Sequence, residues 1–155
     1  MPIEELQDLL VLDSQLTELN RAQSWVEGLA DRLGLNEKAR YAISLCLEEA
    51  LANVVLHGYR NEPGHPVVIR YRFSLDTLSF AIEDKAPPFN PVDASPSTTR
   101  PKQPGLELLT PGGNGIRLLR QFAESLVYER LADGNRLMIG FSIFPPLSEQ
   151  SSTLE

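Results

Sequence analysis

Glu49, Asn53 and His57 recur at i, i+4 and i+8. On a helix that spacing puts a carboxylate, an amide and an imidazole in one row. Polar groups beside an apolar stripe are costly to bury unless they have partners. A carboxylate and an amide carbonyl are hard oxygen ligands, suited to Mg²⁺ or to orienting a hydroxyl. The same row also suits a solvated helix face that ends on a capping histidine. Glu48 points about 100° away around such a helix and reads as a surface acid.

A second stretch is Glu83-Asp84-Lys85-Ala86-Pro87-Pro88-Phe89-Asn90-Pro91. Its acids close an apolar strand and run straight into a rigid proline turn, so they are positioned rather than floppy. Asp84 could accept a hydrogen bond from a ligand amine, or bond its own backbone as a turn-forming Asp. A third stretch is Pro111-Gly112-Gly113-Asn114-Gly115-Ile116-Arg117. Clustered glycines leading into a helix offer exposed N–H groups and a positive helix end, which suit phosphate. The stretch lacks the G-x-G-x-x-G order and the β-α-β surroundings of a dinucleotide site, and no Gly-Lys-Ser/Thr follows it.

The elements that must hold these residues are readable from periodicity. Residues 6 to 12 suggest a strand. Leu16, Leu19, Ala22, Val26, Leu29, Ala30 and Leu33 form the stripe of an amphipathic helix, with Ser14 or Thr17 as its cap and Gly34 as its end. Asn36 caps a second helix, whose stripe is Ala39, Ala42, Ile43, Cys46, Leu47, Ala50 and Val54 and whose end is Gly58. Val67, Ile69, Tyr71 and Phe73 alternate with polar neighbours, and so do Leu78, Phe80 and Ile82 beyond a break at Leu75-Asp76-Thr77, which predicts a hairpin. A third helix starts at the glycines. Two last strands, Ser125–Leu131 and Arg136–Phe144, turn over Ala132-Asp133-Gly134-Asn135. Nine of the 12 prolines fall between Pro63 and Pro111, so the long irregular stretch from Asp84 to Gly113 reads as a lid or binding loop. The order β-α-α-β-β-loop-α-β-β implies an α+β two-layer sandwich with a mixed, mostly antiparallel sheet and its helices on one face.

The 155 residues suit one domain, residues 1–145, with a polar tail over 146–155. A net charge of −7, without any long Lys/Arg run, argues against direct nucleic-acid binding. It also means that a phosphate ligand would be held by backbone N–H groups and a metal. No apolar run is long enough for a membrane span, no signal region opens the chain, and the single cysteine, Cys46, suits a reduced, cytoplasmic setting.

Taken in order, the three stretches resemble the nucleotide-binding motifs of the GHKL ATPase superfamily, and within it the anti-sigma-factor serine/threonine kinases of partner-switching cascades. Leu47-Glu48-Glu49-Ala50-Leu51-Ala52-Asn53 through Tyr59 is similar to the N-box helix. Asp84-Lys85-Ala86-Pro87-Pro88-Phe89-Asn90-Pro91 is similar to the D-x-G-x-P-F-D-P box, and Gly113-Asn114-Gly115-Ile116 to the second glycine box. The Asp133-Gly134-Asn135-Arg136-Leu137 hairpin also fits, so the resemblance covers roughly residues 6 to 144. It implies the GHKL (Bergerat) fold and roles for single residues. Asn53 would ligate Mg²⁺ on the ATP phosphates, and Glu49 would be the general base for a substrate hydroxyl. Asp84 would accept from the adenine amine, with Ala86 beside it. Gly113, Asn114 and Gly115 would approach the phosphates. Arg100 and Lys102 would touch phosphate from the lid, and His57 occupies a family position without a clear role.

The resemblance further implies a STAS-domain antagonist as phosphoryl acceptor, a sigma factor or other output protein as the sequestered partner, and a possible homodimer. A phosphate on the antagonist would repel this acidic protein. Two positions depart from the pattern. Ala86 stands where the box has glycine, and a methyl there would crowd the adenine or be absorbed by a small shift. Asn90 replaces an acid. Ala86 keeps open an alternative, a non-catalytic module of the same fold that sequesters a partner with weak or no ATP turnover.

Overall fold

The computed structural model describes residues 5–89 and 115–143. Within them lie strand β1 (Glu5–Asp13), helices α1 (Leu19–Leu33) and α2 (Glu37–Asn53), strands β2 (Pro66–Ser74) and β3 (Thr77–Asp84), helix α3 (Gly115–Phe122), and strands β4 (Ser125–Leu131) and β5 (Gly134–Ser142). The order matches the expected succession of elements.

Local chemistry sets the helix ends. Gly34 adopts the left-handed conformation (φ 66°) that closes α1, and its N–H reaches the carbonyls of Ala30 and Asp31. Asn36 caps α2, its side chain accepting from Ala39 N–H at 2.8 Å. The expected cap on the first helix does not form. A short 3₁₀ turn, Leu16–Glu18, precedes α1 without a side-chain cap bond, and Leu16 is 41% exposed rather than part of the stripe. Ser14 instead ties β1 to the segment before β2, donating to Glu62 C=O at 2.6 Å and accepting from His65 N–H at 3.0 Å.

The sheet runs β1-β2-β3-β5-β4. Every neighbouring pair is antiparallel, so among the described residues the sheet lacks the parallel component that was expected. Alternation decides its two faces. Val67, Ile69, Tyr71, Phe73, Leu78, Phe80, Ile82, Leu137, Ile139 and Phe141 are buried in one core with residues of α1 and α2. Leu9, Val11, Val127 and Met138 face the other way and are exposed. Helices therefore cover one face. Each buried Leu, Ile or Phe of this core contributes about 1.5–3 kcal/mol through the area it removes from water.

Two differences bear on the site. The last hairpin turns over Ala132 and Asp133 alone, so Gly134 and Asn135 belong to β5 and not to the turn. Helix α2, which shows a single stripe in sequence, is buried on nearly all sides near its end: Ala50, Leu51, Ala52, Asn53, Val54 and Val55 are all buried. The reason is that α2 packs between α1 and α3 over the sheet.

Candidate active site

At the end of α2 the backbone widens into a π-helical turn, Val54–Gly58. Tyr59 N–H reaches Val54 C=O at 2.8 Å, five residues back. Such turns are rare and break the i+4 row. Glu49 and Asn53 remain on regular helix, whereas His57 comes after the break and is exposed. Asn53 is 4% exposed. Glu49 is half-buried, and its Oε1 is buried. Glu48 is exposed, as the helical angle predicts.

Cys46 lies three residues before Glu49 and is fully buried. Burial pushes its thiol up to about 12, and the charge of Glu49 adds to the effect. The cysteine is thus an inert packing residue.

Asp84 ends β3 and is 8% exposed. Its Oδ1 accepts from Ala86 N–H at 2.9 Å and from the Asn135 amide at 2.8 Å. Burial holds the carboxyl above its ordinary range, against the opposing pull of the Asn135 amide, Ala86 N–H and the Arg130 charge. The turn-forming bond to its own backbone is present, and the carboxylate is also held from a distant strand. A buried, hydrogen-bonded acid of this kind is a candidate site residue.

Three contacts join the end of α2 to the segment after Asp84. Tyr59 OH accepts from Lys85 N–H at 2.6 Å while donating to Pro66 C=O at 2.7 Å. The His57 ring stacks on Phe89, with centroids 5.7 Å apart and planes at 29°. A Cβ built on Gly58 would stand 3.3 Å from the Cβ of Ala86. The stretch carrying Glu49 and Asn53 and the stretch carrying Asp84 are therefore fastened together, although about 30 residues separate them along the chain.

Helix α3 begins at Gly115 and packs on α2. Its last residue, Phe122, meets Tyr41 near the start of α2 edge-on at 6.4 Å. That contact places the end of α3 beside the start of α2. Arg100, Lys102, Gly113 and Asn114 lie outside the described residues, as do Asn90 and the tail over 146–155.

The most connected polar side chain here is one that residue spacing does not single out. Asn135 is 4% exposed. Its Nδ2 donates to Asp84 Oδ1, to Ala86 C=O at 3.2 Å and to Pro87 C=O at 3.1 Å. Its Oδ1 accepts from Tyr128 OH, from Phe89 N–H at 3.3 Å and from Arg130 Nη1 at 3.4 Å. Gly134 beside it is equally constrained, since a Cβ there would lie 1.8 Å from Asp84 O. In sequence Asn135 shows only as a residue of the family-like Asp133–Leu137 hairpin, with no sign of its partners.

Among the described residues no group of three or more His, Cys, Asp or Glu side chains could hold a metal by itself. The donor set suits Mg²⁺ of the kind that takes one or two protein oxygens and completes its shell with phosphate and water. No helix among the described residues is long and apolar enough to cross a membrane.

Comparison with known proteins agrees with this geometry. A family model described as the histidine kinase-like ATPase domain matches residues 12–141. The chain is 34% identical over 135 residues to the serine/threonine-protein kinase BtrW of Bordetella bronchiseptica, covering 85% of this chain and 91% of that one. It is 29% identical over 84 residues to the anti-sigma F factor of Oceanobacillus iheyensis, covering 54% and 56% respectively. With a match over residues 12–141 and a serine/threonine-protein kinase 34% identical over most of its length, the chain belongs to the histidine kinase-like ATPase domain family and is a serine/threonine protein kinase of that family.

Proposed function

We propose that this protein is an ATP- and Mg²⁺-dependent serine/threonine kinase that phosphorylates a STAS-domain antagonist, and that it also sequesters a sigma factor or another output protein. The observation that carries the reading is the fastening of the Asp84–Phe89 segment to the end of the helix bearing Glu49 and Asn53. The joined stretches would then offer an acceptor for a base amine at Asp84, a hard oxygen ligand at Asn53 and a proton acceptor at Glu49. Bound Mg²⁺ would supply charge neutralisation at the phosphates. Asn53 would hold it through its amide oxygen.

The protein's own contribution to phosphoryl transfer is then positioning and one proton transfer. Glu49 takes the proton of the substrate hydroxyl, which leaves the oxygen free to attack. Gly113, Asn114 and Gly115, with Arg100 and Lys102 of the lid, would meet the phosphates. With a net charge of −7, a freshly phosphorylated antagonist is repelled and released. A homodimer and a cytoplasmic location complete the proposal.

The test is to mix the full chain with Mg-ATP and STAS domains from the same genome and to look for phosphoserine or phosphothreonine. Transfer to one of them is expected. Absence of transfer to every candidate together with absence of ATP affinity overturns the kinase reading in favour of a purely sequestering module.

A further inference from the structure

Asn135 lies 51 residues from Asp84 along the chain and opposite it across the β3–β5 pair. Its two amide ends face two chemically sorted groups. Three acceptors surround Nδ2: a carboxylate oxygen of Asp84 and the carbonyls of Ala86 and Pro87. Three donors surround Oδ1: Tyr128 OH, Phe89 N–H and the Arg130 guanidinium. That sorting fixes the orientation of the amide. No other side chain of similar size both donates and accepts in this way. Asp would set a carboxylate against three acceptors, and a hydrocarbon would leave buried polar groups unsatisfied.

We infer that Asn135 is the positioning residue that makes Asp84 selective for a purine bearing an exocyclic amine. Asn135 and Ala86 N–H both hold Asp84 Oδ1. With Oδ1 engaged twice, Oδ2 is the oxygen left to accept from a ligand amine. Asn135 also gathers the carbonyls of Ala86 and Pro87. The same side chain thus ties the segment up to Phe89 to Asp84. A carboxylate held this way accepts from an amine at a fixed position, whereas a loosely held one would bind bases with little discrimination. The inference rests on the reading of Asp84 as the base-recognising acid.

The experiment compares the affinity of the full chain for Mg-ATP with that for the magnesium complex of purine riboside 5′-triphosphate, which lacks only the amine. The unmodified chain is expected to prefer ATP by about tenfold or more, as a hydrogen bond to a charged group allows. In Asn135→Asp the preference is expected to fall below about threefold, whatever loss of affinity the two triphosphates share. Should circular dichroism show that Asn135→Asp does not fold, Asn135→Ala removes the same bonds without adding a charge, and the same fall is expected. A folded variant that keeps the full preference for ATP overturns the assignment and leaves Asn135 as a purely structural residue. An unmodified chain that binds neither triphosphate overturns the nucleotide reading itself. An unmodified chain that binds both equally overturns the role of Asp84 on which the inference stands.

Discussion

The methyl group of Ala86 packs towards the bare α-carbon of Gly58, so close that a Cβ on Gly58 would stand 3.3 Å from it. Ala86 is 1% exposed and belongs to the core cluster. The departure from a glycine at this position therefore points into protein, where the missing side chain of Gly58 makes room for it. Ala86→Gly should change Mg-ATP affinity by less than about threefold. It should lower stability by about 0.5–1 kcal/mol, because glycine loses more backbone freedom on folding and the methyl contact is lost. Titration calorimetry and thermal melting check the two halves. A gain of tenfold or more in ATP affinity would show that the methyl obstructs the base.

Gly134 is held to glycine by packing alone. A Cβ there would meet Asp84 O at 1.8 Å and Asp84 C at 2.9 Å, both backbone atoms that cannot swing aside. Gly134→Ala should destabilise the protein by about 1–3 kcal/mol, the usual range for overpacking, and should weaken ATP binding by displacing Asp84. Denaturant unfolding reads the first effect and nucleotide titration the second.

Glu49→Gln keeps the shape of the side chain and removes its basicity. Phosphoryl transfer to a protein acceptor should fall by about 10²–10⁴-fold, the range a general base supplies, with Mg-ATP affinity within twofold of the original. Asn53→Ala should do the reverse and abolish Mg²⁺-dependent ATP binding. Single-turnover transfer and equilibrium binding on both variants separate the roles. Normal transfer by Glu49→Gln would remove Glu49 from the chemistry.

Asp84 links stability to pH in an uncommon direction. Its carboxyl is raised above the ordinary value of 3.8, first by burial. A group raised in the folded state binds its proton more tightly there than in the unfolded chain. Its contribution is thus fully present below pH 3.8 and is lost as pH rises through the folded value. Asp84→Asn preserves an acceptor for Ala86 N–H and Asn135 while removing the buried charge. At pH 7 the variant should melt no lower than the original, and its advantage should shrink as pH falls towards 4. ATP affinity should drop by tenfold or more, since an amide donor now faces the amine. Melting curves between pH 4 and 7 and ATP titration at pH 7 provide the check.

The local features of this fold are written in neighbouring residues. Gly34 and Asn36 mark the α1–α2 junction because their conformational and capping preferences act within one turn. Alternation from Val67 to Phe73 betrays β2 because every second side chain must face the core. The end of α2 was less legible. Its single stripe gave no sign that Ala52 and Val55 would be buried as well, since burial on the second side depends on α3, which lies more than 60 residues further on. The π turn at Val54–Gly58, which removes His57 from the row of Glu49 and Asn53, has no periodicity of its own.

The elements, the α+β class and the family are legible in the amino-acid order, and so is the candidacy of Glu49, Asn53 and Asp84, because each depends on residue type at short spacing. Tertiary structure alone decided how these are held. Asn135 reaches Asp84 only because β5 pairs with β3 in the register that sets the two opposite each other. Tyr59 reaches Lys85, and Ala86 finds Gly58, only because the turn that follows α2 meets the end of β3, the middle strand of the sheet. Such contacts join residues tens of positions apart, and chain connectivity at that distance carries no trace of which side chains will meet.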